Sequence, residues 1–120
     1  MMLVDKQILF TENIGKLIYW AYKAGFGLTF GDAFRDRRQS ALNAQQGKGI
    51  ANSLHTCRLA VDFNLFIDGI YQAQSGVYRP LGEHWKSLHP DNRWGGDFRP
   101  VPDGRHFSME DGGIKECLIK

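Results

Sequence analysis

Cysteine is scarce in this chain: only Cys57 and Cys117 are present. Two thiols are too few for a framework of disulfides. They could pair, but two free thiols in a protein made in the cytosol is the simpler reading. Long apolar runs are missing as well. None approaches the roughly 20 residues needed to cross a bilayer, so no membrane insertion is expected. The opening segment MMLVDKQILF carries the acidic Asp5 and no apolar core ending in a small-residue cleavage site, which is not the pattern of a Sec signal peptide. An excess of one charge is lacking too. Fifteen basic residues stand against thirteen acidic ones, a net charge of +2. The densest basic cluster, Arg35, Arg37 and Arg38, is interrupted by Asp36, so there is no phosphate-binding stripe and nucleic acid is not an expected partner. Repeats, linkers and low-complexity tracts are also absent.

What remains is an ordinary globular composition, 42% hydrophobic and 12% aromatic, too rich for a disordered chain. At 120 residues it is expected to form one domain, residues 1–120, around one core. From about Asp5 to Ala24, Phe10, Ile14, Leu17, Ile18 and Ala21 recur at helical spacing, and Gly25 is placed to end the helix. Trp20, Tyr19 and Tyr22 belong to that helix and are expected to pack in the core. FGLTF, residues 26–30, alternates as a short strand. A polar helix is expected over 36–46. In LAVDFNLFI, Leu59, Val61, Phe63 and Leu65 point one way while Ala60, Asp62 and Asn64 point the other. A short helix is expected from Pro80 to about Leu88, with proline in its first turn. Residues 89–113 read as loop-rich, and 114–119 as a closing strand. Separated helices and strands predict an α+β fold: a small, mainly antiparallel sheet flanked by helices.

The chemistry-bearing residues are histidines beside acids. His55 precedes Asp62 by seven residues, and Asp62 lies on the non-core face of the clearest strand, where a carboxylate meets a cleft or solvent. Asp103 and His106 are three apart in VPDGRHFSM, where Gly104 and the flanking prolines imply a turn into a strand. Two imidazoles and a carboxylate suit one zinc ion and leave a fourth position for water, with Asp103 available as general base. On spacing alone, a solvated carboxylate and surface histidines account for the same residues. His84 and His89 are most simply surface residues. A Cys57–His55 nucleophile pair has no Asn or Asp orienter in a recognisable setting.

Four blocks carry a resemblance. SLHTCRLAVD is similar to the Ser-x-His-(x)6-Asp signature of the zinc D-alanyl-D-alanine carboxypeptidase and L-alanyl-D-glutamate endopeptidase family. DGRHF resembles its second signature, Asp-x-x-His-Phe. WGGDF, Trp94 to Phe98, resembles a block of the phage endolysin and sporulation-type branch, and GDAFRDRRQ is similar to the Gly-x-x-Arg…Gln segment. The blocks stand in the family's order over about residues 27–108. The resemblance implies a Hedgehog/DD-peptidase-like fold and a zinc peptidase acting on peptidoglycan stem peptides, which suits the mildly positive charge. It implies His55, Asp62 and His106 as zinc ligands and Asp103 as catalytic acid/base. Arg35 would bind a substrate carboxylate or stabilise the oxyanion, and Ser53 would contact substrate or support a ligand. Trp94 and the glycines after it would shape the cleft wall, with Trp94 counted among the substrate-binding candidates although wall or core packing is the simpler part for its indole.

Two departures from the family pattern stand out. Arg58 and Leu59 occupy the places where the family has Gly-Arg. A separation of seven puts His55 and Asp62 on opposite faces of a regular strand, so the chain must bend there, and Arg58 must do so without glycine's freedom. Ser108 stands where many members carry Glu. The expected activity is an L-alanyl–D-glutamate endopeptidase of a phage endolysin, a monomer made in the cytoplasm and reaching the wall through a holin-type lesion. The rivals are a D,D-carboxypeptidase or dipeptidase of the same mechanism, and a non-catalytic phage structural protein retaining the fold.

Overall fold

The structure, a computed structural model, describes residues 2–31 and 58–111. The helix expected at 36–46, the strand expected at 114–119 and both cysteines lie outside the described residues. Helix α1, Leu3–Lys23, buries Lys6, Phe10, Asn13, Leu17 and Ala21, one face of a 3.6-residue period. It ends as its sequence indicates. Gly25 takes φ +86°, and the amides of Gly25 and Phe26 turn back to the carbonyls of Tyr22 and Ala21, a Schellman close that spares two carbonyls from going unpaired. Tyr19 and Tyr22 do not pack in the core. They are 64% and 75% exposed, because they fall on the side of α1 opposite Phe10 and Leu17. Trp20 is half-buried and stacks on His84, ring centroids 4.5 Å apart. Burial against that ring lowers the His84 pKa.

Strand β1, Gly27–Phe30, pairs antiparallel with β2, Ala60–Ile67. A tight turn at Asp68-Gly69, both with positive φ (52° and 77°), leads into β3, Ile70–Gln72, on the other edge of β2. Positive φ at both central residues is the hairpin geometry that Asp-Gly favours. A 3-10 turn, Ser75–Tyr78, precedes α2, Arg79–Leu88, which carries Pro80 in its first turn. Strand β4, Asn92–Trp94, and a 3-10 turn, Gly95–Asp97, lead to β5, His106–Met109. The sheet runs β1-β2-β5-β4, with β3 beside β2. All of these pairings are antiparallel. Together with the two helices they make the α+β architecture expected from the sequence. Residues 89–113 are less loop-like than their prolines suggest, since β4 and β5 both lie there.

The alternation in β2 divides the sheet's two faces. Leu59, Val61, Phe63 and Leu65 are buried on the side that holds both helices. There Phe10 meets the edge of Trp85, and Phe63 and Trp85 both pack on Phe107. Trp85 also ties strands together, its Nε1 donating to the carbonyls of Arg93 and Ser108 at 3.0 and 3.1 Å. Asp62 and Asn64 point to the other face and remain partly open. Among the described residues, no helix is long and apolar enough to cross a membrane.

Gly82 lets α2 approach β4 closely. A methyl group built on it would stand 2.1 Å from the Trp94 ring. Gly82→Ala is therefore expected to destabilise the protein by roughly 1–3 kcal/mol, read as a lower midpoint in denaturant unfolding.

Candidate metal centre

The pairing of β2 with β5 sets Asp62 directly opposite His106. Their side chains share one face, and Oδ1 of Asp62 lies 3.4 Å from Nδ1 of His106. The end of β1 braces Asp62 from the other edge, the Gly31 amide donating to the Asp62 carbonyl at 2.7 Å. Asp103 arrives from a turn. The His106 amide donates to the Asp103 carbonyl at 3.1 Å, closing Asp103-Gly104-Arg105-His106 into a β-turn that returns the Asp103 side chain toward His106. One donor atom from each of Asp62, Asp103 and His106 lies within 4.8 Å of the others, all three groups partly buried.

The WGGDF block builds this turn. The Trp94 indole donates to the Gly104 carbonyl at 2.8 Å, and the Ser75 hydroxyl accepts the Gly104 amide at 2.9 Å. Both polar groups of one glycine backbone are thus held. The Gly95 carbonyl accepts the Asp103 amide at 2.8 Å and the Phe98 amide at 3.0 Å. A methyl group on Gly95 would stand 2.0 Å from the Asp103 carbonyl oxygen, and one on Gly96 would stand 2.1 Å from the Trp94 ring. These two glycines are required by close approach. Asp97 accepts from Lys86 at 2.7 Å, and the Phe98 ring packs on His106, centroids 5.4 Å apart.

Trp94 has the wall and core packing that is the simpler part for its indole. Only 1% of it is exposed, wedged between Gly82 and Gly96 with the Arg79 guanidinium 4.9 Å from its ring centre. The indole holds the Asp103–His106 turn from behind. Ser75 and Gly82 carried no signal in the sequence, because their parts depend on residues about 29 and 12 positions away. His55, Ser53 and Arg35 lie outside the described residues. Arg58, in the place where the family has glycine, adopts φ 57°. The left-handed bend asked of this position is present, at a cost on the order of 1–2 kcal/mol for a residue with a Cβ.

The donor set fits zinc. Imidazole nitrogen and carboxylate oxygen bind it at about 2.0–2.2 Å, which places two donors of a tetrahedral site about 3.4 Å apart, the separation found between Asp62 and His106. Partial burial limits water access without sealing the cleft. Arg105, beside His106 in the turn, adds a cation at the rim, its Nε 4.0 Å from Asp103 Oδ1.

The D-alanyl-D-alanine carboxypeptidase family model matches residues 46–109, which include Asp62, Trp94, Asp103 and His106. No curated protein matches the chain in sequence. Among solved structures, it is similar to the Serratia marcescens L-Ala D-Glu endopeptidase ChiX, at 18% identity over 78% of this chain and 75% of that one, TM-score 0.66. It is also similar to a vancomycin resistance D,D-pentapeptidase, VanY from a VanB-type resistance cassette, solved in complex with Zn(II). That match has 18% identity over 83% of this chain and 70% of that one, TM-score 0.58. At this identity the two likenesses establish the fold. The family match spans more than half of the sequence, and the chain belongs to the D-alanyl-D-alanine carboxypeptidase family as a zinc-dependent peptidoglycan peptidase.

Proposed function

We propose that this peptidase is an endopeptidase cutting the L-alanyl–D-glutamate bond of peptidoglycan stem peptides, and that it serves a phage as an endolysin acting in the periplasm after holin release. The observation that carries the catalytic part is the convergence of Asp62, Asp103 and His106 on the open face of the sheet. The choice of bond is supported by the fold likeness to ChiX and by the WGGDF block, which resembles the phage endolysin branch.

In this reading Asp62 and His106, with His55 supplied by the first motif, hold the zinc ion. When bound, zinc polarises the scissile carbonyl and lowers the pKa of its water to about 7. Asp103 accepts the proton of the attacking water and returns it to the leaving amine. Its backbone is held for this at its own amide by Gly95, and through Gly104 by Trp94 and Ser75, which leaves only the side chain to be ordered at the moment of reaction. Phe98 fixes the ring plane of His106 from one side. Arg35 is the proposed partner of a substrate carboxylate or of the oxyanion, and Ser53 a substrate or supporting contact; both follow from the family motif alone.

A D,D-carboxypeptidase or dipeptidase would use the same centre on a different bond. Mass spectrometry of products from purified peptidoglycan separates the two: cleavage between L-alanine and D-glutamate is expected, and release of D-alanine alone would refute the endopeptidase assignment. Asp103→Ala is expected to keep one zinc per chain and the native thermal midpoint while kcat falls by about 100- to 10,000-fold. Loss of metal in that variant would instead make Asp103 a ligand. His106→Ala is expected to lose metal, activity and the stabilisation that metal binding adds to the folded state. Chelation of the unmodified protein should abolish lysis of outer-membrane-permeabilised cells, and added zinc should restore it.

A further inference from the structure

Arg105 is the one residue of the Asp103–His106 turn that the zinc chemistry leaves unused. Its guanidinium sits at the rim of the cleft, with 46% of the side chain exposed, and its nearest approach to Asp103 is a single 4.0 Å contact. Other arginines of this protein are engaged more tightly. Arg93 closes its fork on both oxygens of Glu110 at 2.9 and 3.0 Å, and Arg79 meets Glu83 at 3.0 Å. The Arg105 guanidinium instead has the Tyr71 hydroxyl and the Asp62 and Asp103 carboxylates among its neighbours. Tyr71 stands on β3 in register with Phe66, hence on the same sheet face as Asp62 and His106, and it too is 44% exposed.

Several consequences follow from that placement. A guanidinium offers five donors in a planar fork, and nearly half of this side chain is open to solvent. A guanidinium stays protonated at any working pH, so the charge is permanent. The guanidinium also lies 4.0 Å from Oδ1 of Asp103, one of the three groups whose donor atoms gather within 4.8 Å of one another.

We propose that Arg105, in the turn that carries Asp103 and His106, forms a carboxylate-binding subsite that receives the free α-carboxylate of the D-glutamyl residue next to the scissile bond. A D-glutamyl residue linked through its side-chain carboxyl keeps this anion beside the amine released by cleavage. A planar fork recognises such a group by paired, charge-assisted hydrogen bonds. The proposal rests on the L-alanyl–D-glutamate reading and names a specificity determinant within it, separate from Arg35.

The test compares two stem tripeptides on the zinc-loaded full chain, one with D-glutamate and one with its α-carboxamide, D-isoglutamine. The unmodified enzyme is expected to favour the acid by roughly 10- to 100-fold in kcat/KM, the range of a hydrogen bond to a charged group, with the difference in KM. In Arg105→Gln this preference should collapse to near unity, and Arg105→Lys should restore part of it. Arg105 is exposed, so thermal midpoints should stay within a few degrees. An acid preference that survives in Arg105→Gln overturns the proposal. So does an equal fall in kcat for both peptides with a shifted pH profile, since Arg105 would then act on Asp103. If the unmodified enzyme cuts neither tripeptide but releases D-alanine from longer stems, the parent reading fails and this subsite falls with it.

Discussion

The opposition of Asp62 and His106 across the β2–β5 ladder is the constraint on which the rest of the site depends. Side chains alternate along a strand with a period of two, so a slip of one residue would turn Asp62 into the core and bring Val61 or Phe63 to the cleft. The core prevents that slip. Leu59, Val61, Phe63 and Leu65 are each almost wholly buried against α1, α2 and Phe107, and turning four such side chains to water would cost on the order of 1.5–3 kcal/mol apiece. Catalytic geometry on one face is thus held by hydrophobic burial on the other.

Asp103 cannot be fixed in this way, because it lies in a turn rather than in a ladder. Its position comes from a chain of close contacts that begins at Gly82. The absence of a Cβ there lets α2 seat against the Trp94 indole, and that indole reaches the Gly104 carbonyl. Ser75 holds the amide of the same glycine, and Gly95 holds the amide of Asp103. Each backbone group so bonded is removed from competition with water. The functional carboxylate stays partly open while nearly everything behind it is buried. In this arrangement the conspicuous tryptophan is scaffold and the small residues set the distances.

Parts of this could be read in advance. The alternation of LAVDFNLFI, the stop at Gly25 and the proline-led α2 are local signals and hold as read. The bend demanded at Arg58 was also visible, from an odd spacing set against a strand's even period. Other elements were not. β3 and β4 are three residues each, too short for periodicity to register, although Asp68-Gly69 is a turn signal that points to the hairpin. Tyr19 and Tyr22 looked like core because aromatic side chains favour burial, yet the outer side of α1 faces no described element.

What the sequence by itself determined is the inventory and its order: which side chains are of the types that can bind zinc or move a proton, which strand turns a carboxylate away from the core, and where helices stop. These follow from side-chain chemistry and from periods of 2 and 3.6 residues, which act over a few positions. Only the tertiary structure decided which of those groups meet. Asp62 and His106 are 44 residues apart in the chain and 3.4 Å apart in space, a proximity set by strand pairing. The burial of Trp94 as a brace behind the turn, and the exposure of Arg105 beside Asp103, arise from packing between distant segments, which local patterning does not encode.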